Sequence, residues 1–188
     1  MLVPLVPLLR AGLIDESPIA VSSISGVSGA GREAKAQFLF CECNESVRSY
    51  SVPKHRHLSE ISQELDLAAG RAVRFTFVPH LVPVNQGICT TIFAGLRDGA
   101  TMADVARVYS ESYAGRHFVR LLGADQSPDT KNVTGTNFID VGWSFDQRAE
   151  RLILMSVEDN IVKGAAGQAV QNFNLAHGLA ETAGLMLV

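Results

Sequence analysis

The stretch 138–158 decides the class of fold: FIDVGWSF (138–145), DQRAE (146–150), RLILMSVE (151–158). Two apolar runs of strand length flank the polar connection Asp146 to Glu150. A connection that short joins neighbouring strands as an antiparallel hairpin. Working outward, Ala72–Val78 alternates Val73, Phe75 and Phe77 against Arg74 and Thr76, the pattern of a half-buried strand. Ile88–Leu96 and Pro18–Ser23 read as two more strands. Helical spacing of Leu58, Ile61, Leu65 and Ala68 predicts a helix over Leu58–Ala69, ended by Gly70. Leu2–Ala11 reads as the end of a helix stopped at Gly12. Another helix starts at Thr101, an N-cap to which Asp104 can reach back, and runs to about Ala114. Asn160 is expected to cap a last helix, Ile161–His177, with Gly178 in the C′ position. Strands arrive in runs rather than in strict alternation with helices. The expected class is therefore α+β, a mostly antiparallel or mixed sheet with helices on one face.

The 188 residues are 47% hydrophobic and 19% charged, with a net charge of −3. Such a chain carries enough apolar surface to offset the entropy of ordering, which excludes a disordered protein. A slightly acidic balance argues against a generally basic nucleic-acid surface. No apolar run reaches the ~18 residues of a membrane span, so no membrane partner is expected. Arg10 follows the apolar N-terminus instead of preceding it, unlike an export signal. Three cysteines make no disulfide framework. Cys41 and Cys43 have one residue between them, fewer than the usual zinc-ligand spacing; on a strand they would share a face. No metal is expected, and a reducing cytoplasm is the simplest compartment.

Four segments could carry chemistry. Ser25–Arg32 (SGVSGAGR) is a small-residue loop with three glycines, two serines and a terminal arginine. It can act as an anion nest for carboxylate or phosphate; composition alone favours a flexible surface turn. It lacks the Gly-Lys-Ser/Thr ending of a P-loop, and its glycine spacing is not that of a dinucleotide fingerprint. Lys54-His55-Arg56-His57 offers an imidazole base beside a guanidinium, or a solvated basic turn. His80, between Pro79 and Leu81 in the run to Pro83, reads first as a packed, hydrogen-bonded structural histidine. Asn160 begins the last helix, whose N–H groups favour an anion; capping is the simpler role. There is no Gly-x-Ser-x-Gly elbow, no activated cysteine and no obvious carboxylate pair.

Taken in order, these segments resemble one family. They are Ser25–Arg32, Lys54–His57 with Glu60-Ile61, Pro79-His80-Leu81 with Gly87-Ile88, and Glu158-Asp159-Asn160 with Lys163–Ala166 and Gln168–Gln171. The chain resembles N-acetyl-gamma-glutamyl-phosphate reductase over essentially its whole length. The resemblance implies a fold like the C-terminal domain of glyceraldehyde-3-phosphate dehydrogenase. It implies NADP-dependent reduction of an acyl phosphate to N-acetylglutamate 5-semialdehyde with release of phosphate, in arginine biosynthesis. It also implies a homo-oligomer. In the family a cysteine attacks the acyl phosphate, hydride reduces the thioester, and a histidine serves as acid and base.

Motif by motif, the resemblance makes His55 the catalytic histidine. Ser28, Gly29, Arg32, Tyr50, Arg56 and His57 become substrate-binding residues, and Asn160 the residue beside the nicotinamide. It implies three parts: residues 1–15 as the tail of the nucleophile helix, 16–160 as the substrate-binding and dimerisation domain, and 161–188 as a C-terminal helix packing toward a cofactor domain. Pro7–Asp15 (PLLRAGLID) matches the segment that follows the family's nucleophile, so the chain starts a few residues past that cysteine and lacks the dinucleotide domain. Gln86 stands where the family often has arginine. Alone, such a chain is expected to be inactive, with the Gly/Ala-rich face of its last helix exposed. The alternatives are a non-catalytic binding or oligomerisation module, and a different enzyme using Cys41 or Cys89 with a histidine.

Overall fold

A computed structural model describes residues 1–15, 17–33 and 35–186. Seven strands form one mixed sheet: β1 (Ile19–Ser25), β2 (Arg48–Ser49), β3 (Phe75–Leu81), β4 (Ile88–Ala94), β5 (Val119–Ala124), β6 (Ile139–Asp146) and β7 (Arg151–Glu158). Their order is β2-β3-β1-β4-β7-β6-β5. The pairs β1–β3 and β5–β6 are parallel and the other four antiparallel, as expected for an α+β sheet. The β6–β7 hairpin forms in register, Ile139 facing Glu158 and Asp146 facing Arg151. Asp146 closes its turn by accepting from the Arg148 and Ala149 N–H groups.

Five α-helices accompany the sheet among the described residues: α1 (Leu2–Arg10), α2 (Phe40–Cys43), α3 (Leu58–Ala69), α4 (Met102–Ser112) and α5 (Gly167–Ala176). Helix α3 has the bounds its apolar spacing predicts, and Gly70 ends it in the left-handed conformation. Helix α4 carries the expected capping box between Thr101 and Asp104. Side chains alternate across a strand, so one sheet face gathers Ile19, Val21, Ile92, Val141, Trp143 and Leu154. That face shares a core with Leu5 and Leu8 of α1, Ile61 and Leu65 of α3, and Val105 and Tyr109 of α4. Tyr109 donates to the Pro4 carbonyl at 2.7 Å, tying α4 to α1. The opposite face carries Ile24, Cys89, Thr91, Phe93, Ile153 and Met155, all partly exposed.

Three expectations need correction. The last helix does not start at Ile161: Val162–Ala166 is a π-helical turn, and α5 follows from Gly167. Asn160 does not cap it; Asp159 does, its Oδ1 accepting from the Ile161 and Val162 N–H groups at 2.7 and 2.9 Å. A carboxylate suits the positive end of a helix better than a neutral amide. Cys41 and Cys43 stand on the helical turn α2, not on a strand, so two-residue spacing turns them apart rather than onto one face.

Candidate functional site

The loop Ser25–Arg32 leaves the end of β1 and coils into a 3-10 turn over Val27–Ala30. It lies against the turn Val84–Gly87 that leads into β4. The Gly26 N–H donates to the Gly87 carbonyl, Val27 to Val84, and Ser28 to Asn85, at 2.9 to 3.1 Å. Gly26 is a close-approach position, since a Cβ there would meet the Asn85 carbonyl oxygen at 2.8 Å. The loop is thus a hydrogen-bonded clasp, a surface turn as composition favours and not a nest of open N–H groups. Gly29 and Gly31 also donate internally, to the Gly26 and Ser28 carbonyls. The Ser28 hydroxyl donates to the Asn85 carbonyl at 2.5 Å. What the loop still offers an anion is Arg32, exposed and with no carboxylate partner among the described residues. Beside it is an open cavity of about 590 Å3, lined by Val27, Ser28, Phe38, Leu39, Asn85 and Lys35 among others.

Asn160 meets this clasp from the end of β7. Its Oδ1 accepts from the Gly87 N–H at 2.7 Å, and its Nδ2 donates to the Ser28 Oγ at 2.9 Å. Behind it lies a dense buried polar network. Asp159 is fully buried and accepts from the Gly135 N–H as well as from its own helix. The Lys163 ammonium donates to Gln171 Oε1 at 2.7 Å, which also accepts from Asn137 at 2.9 Å. Gln171 in turn donates to Glu181 at 2.6 Å. Burial pushes the Lys163 pKa down, against the opposing pull of Glu158 and Glu181.

The histidine segment forms a second cluster. His55 stands 5.0 Å from His57, 5.7 Å from Tyr50 and 5.3 Å from Phe77, measured between ring centroids. The chain turns here, and the His57 N–H donates to His55 Nδ1 at 3.3 Å. Burial lowers the His55 pKa first, and the charges of His57 and Arg56 lower it further. A neutral imidazole accepting at Nδ1 carries its proton on Nε2. Burial raises the Tyr50 pKa, partly offset by Arg56. Lys54 and Arg56 are exposed, with no carboxylate partner among the described residues.

The two clusters do not touch. His55 packs on Phe77, whose neighbour on β1 is Val21, while the loop begins four residues further on. At ~3.3 Å per residue that is roughly 13 Å along the sheet. Ser28, Gly29 and Asn160 come together; His55, His57 and Tyr50 come together; Arg32 and Arg56 are solvent-facing. His80 on β3 is not the hydrogen-bonded residue expected, since its buried Nδ1 has no partner among the described residues. Cys89 lies on the helix-free sheet face, its thiol pKa raised by burial and then by Asp129, the reverse of an activated thiolate. No three His, Cys, Asp or Glu side chains are placed to hold a metal among the described residues. The network of Asn137, Asp159, Lys163 and Gln171 was not foreseen. The signal for it was a lone lysine among small and apolar residues close after Asp159.

Residues 1–160 match the family model described as the semialdehyde dehydrogenase dimerisation domain. The chain belongs to the semialdehyde dehydrogenase dimerisation-domain family. It is 57% identical over all 188 residues to an N-acetyl-gamma-glutamyl-phosphate reductase of Akkermansia muciniphila, covering 54% of that protein. It is 50% identical over 182 residues to the protein of the same name from Geobacter metallireducens, covering 53% of it. The chain thus spans about half the length of the curated relatives it matches. Among solved structures, aspartate semialdehyde dehydrogenase II of Vibrio cholerae is similar at TM-score 0.70 and 20% identity, over 94% of this chain and 59% of that one. An aspartate-semialdehyde dehydrogenase of Pseudomonas aeruginosa aligns at TM-score 0.69 and 18% identity, over 94% and 59%. At such identities the two structures establish that the dimerisation-domain fold is shared.

Proposed function

We propose that this dimerisation domain is the substrate-binding half of an NADP-dependent N-acetyl-gamma-glutamyl-phosphate reductase. The observation that carries it is the 57% identity, over the full chain, to a relative of that name. The reaction would convert N-acetylglutamyl phosphate to N-acetylglutamate 5-semialdehyde and phosphate, in the cytoplasm.

The roles follow from the chemistry each residue keeps available. Burial favours the neutral form of His55, and with Nδ1 accepting from the His57 N–H its proton sits on Nε2, from which it can be donated to an oxygen that gains negative charge. Tyr50, Arg56 and His57 flank it, and Arg56 offers a planar fork for a carboxylate or phosphate. Arg32, Ser28 and Gly29 line the anion end, where Arg32 supplies the charge. Asn160 fits the cofactor: its amide nitrogen has two hydrogens, one committed to Ser28, leaving one for a carboxamide oxygen. When bound, the cofactor supplies the hydride. This reading assigns the nucleophile to none of the three cysteines: Cys41 is exposed, Cys43 donates to the Gln37 carbonyl and Cys89 resists ionisation.

The domain would pair with a second copy through the sheet face that no helix covers. Ile24 and Phe93 are each 39% exposed there, and Ile153 and Met155 continue the patch. Residues 161–188 would pack toward the cofactor domain. The exposure of Gly164, Ala165, Ala166, Val170 and Phe173 supports that.

Nuclear magnetic resonance of the isolated chain tests the reading. N-acetylglutamate semialdehyde with phosphate is expected to shift the His55, Tyr50 and Gly29 signals, while added NADP is not reduced by the chain alone. Absence of any shift at millimolar ligand, or clear NADP reduction without a second polypeptide, would overturn it.

A further inference from the structure

Six of the ten buried polar or charged residues described lie where β7 gives way to the last helix: Asn137, Asp159, Asn160, Lys163, Gln171 and Asn174. Buried polar networks of this density fix one arrangement of the backbone, because each misplaced group loses a partner it cannot replace with water. Five of them tie the last helix to itself and to the segments beside it, residues 135–137 and 181–183. Asp159 satisfies three N–H groups, Lys163 and Asn137 converge on Gln171, and Asn174 donates to the Glu181 and Ala183 carbonyls. Asn160 alone directs both ends of its side chain away from the helix, to Gly87 of the turn and Ser28 of the loop.

We infer that Asn160 is a positioning residue for the Ser25–Arg32 loop, the post against which the loop and the Val84–Gly87 turn are clasped. The geometry supports this at three points. The Gly87 N–H is buried, and Asn160 Oδ1 is its acceptor. The Ser28 hydroxyl spends its proton on the Asn85 carbonyl, so it meets Asn160 as an acceptor and needs an amide N–H there. A Cβ on Gly29 would approach Asn160 Nδ2 to 3.5 Å, so the loop backbone runs directly over the amide. Gly26, Val27 and Ser28 donate to the turn that Asn160 holds. Loss of the side chain leaves those loop-to-turn bonds in place but removes the one side chain that ties both the loop and the turn to the start of the last helix. This rests on the loop being the anion end of the reductase site only for its effect on ligand, not for its effect on loop order.

The test is amide hydrogen exchange on the unliganded chain, comparing Asn160→Ala, Ser28→Ala and the double variant. Each single variant is expected to speed exchange at Val27 and Ser28 at least tenfold, with α3 and α4 unchanged. The double variant should exchange faster than either single but by less than the product of their effects, because the Ser28–Asn160 bond is shared while the Gly87 and Asn85 bonds are not. Wild-type exchange in either single variant, or effects that multiply in the double, would overturn the inference. Ser28→Ala alters only a partly exposed hydroxyl and keeps the test open if Asn160→Ala fails to fold. A titration with inorganic phosphate adds a functional readout: Asn160→Ala should weaken the Gly29 shift at least fivefold, and unchanged affinity would contradict a positioning role. If the wild-type chain shows no phosphate shift at all, the reductase reading fails, while the exchange data still decide the clasp.

Discussion

At the scale of single residues, His55 shows how environment biases a side chain's protonation. Burial against Phe77, with Arg56 and His57 beside it, disfavours the imidazolium and lowers its pKa. The unfolded chain retains the ordinary value of ~6.5. Below that pH the unfolded state binds the proton more readily, so this residue's contribution to stability is present above ~6.5 and lost as pH falls through the folded pKa. The His55 C2 proton is expected to titrate below 6.5; a midpoint at or above 6.5 would contradict this environment. The residues were legible in the sequence as types and spacing. Their hydrogen-bond duties were not, because Asp159 and Asn160 are neighbours with equal claims to a cap, and only the packing of Gly135 and Gly87 against them separates the two.

At the scale of elements, strong periodicity was readable and short or irregular pieces were not. The bounds of α3 and β7 follow from apolar spacing alone. Two-residue β2 has too little length for any pattern, and β5 carries a register shift between Leu121 and Gly123 that erases alternation. The π-helical turn at Val162–Ala166 depends on where Lys163 is drawn by Gln171, a contact invisible to local spacing. The capping box of α4 is a local device with a local cost. Thr101→Ala should destabilise the domain by about 1 kcal/mol in urea unfolding without changing its slope. A change under ~0.3 kcal/mol would show the box to be idle.

At the scale of the whole molecule, the mixed sheet separates two tasks. One face holds α1, α3 and α4 in a single core. The other leaves an apolar patch that a second copy would cover, in keeping with the family's description. Phe93→Asp places a charge in the middle of that patch and should convert a dimer to monomer in sedimentation velocity, with far-ultraviolet circular dichroism unchanged. A persistent dimer would move the interface elsewhere. The end of β1, the start of β4 and the end of β7 gather at one end of the sheet, where loop, turn and last helix meet.

The most direct measurement joins this chain to the N-terminal half of the Akkermansia muciniphila relative and follows phosphate-dependent reduction of NADP by N-acetylglutamate semialdehyde. Turnover is expected, and His55→Ala in the fusion should lower it roughly 10²–10⁴-fold, the usual worth of a positioned acid–base group. A folded fusion that binds NADP but shows no turnover, or turnover indifferent to His55→Ala, would contradict the assignment.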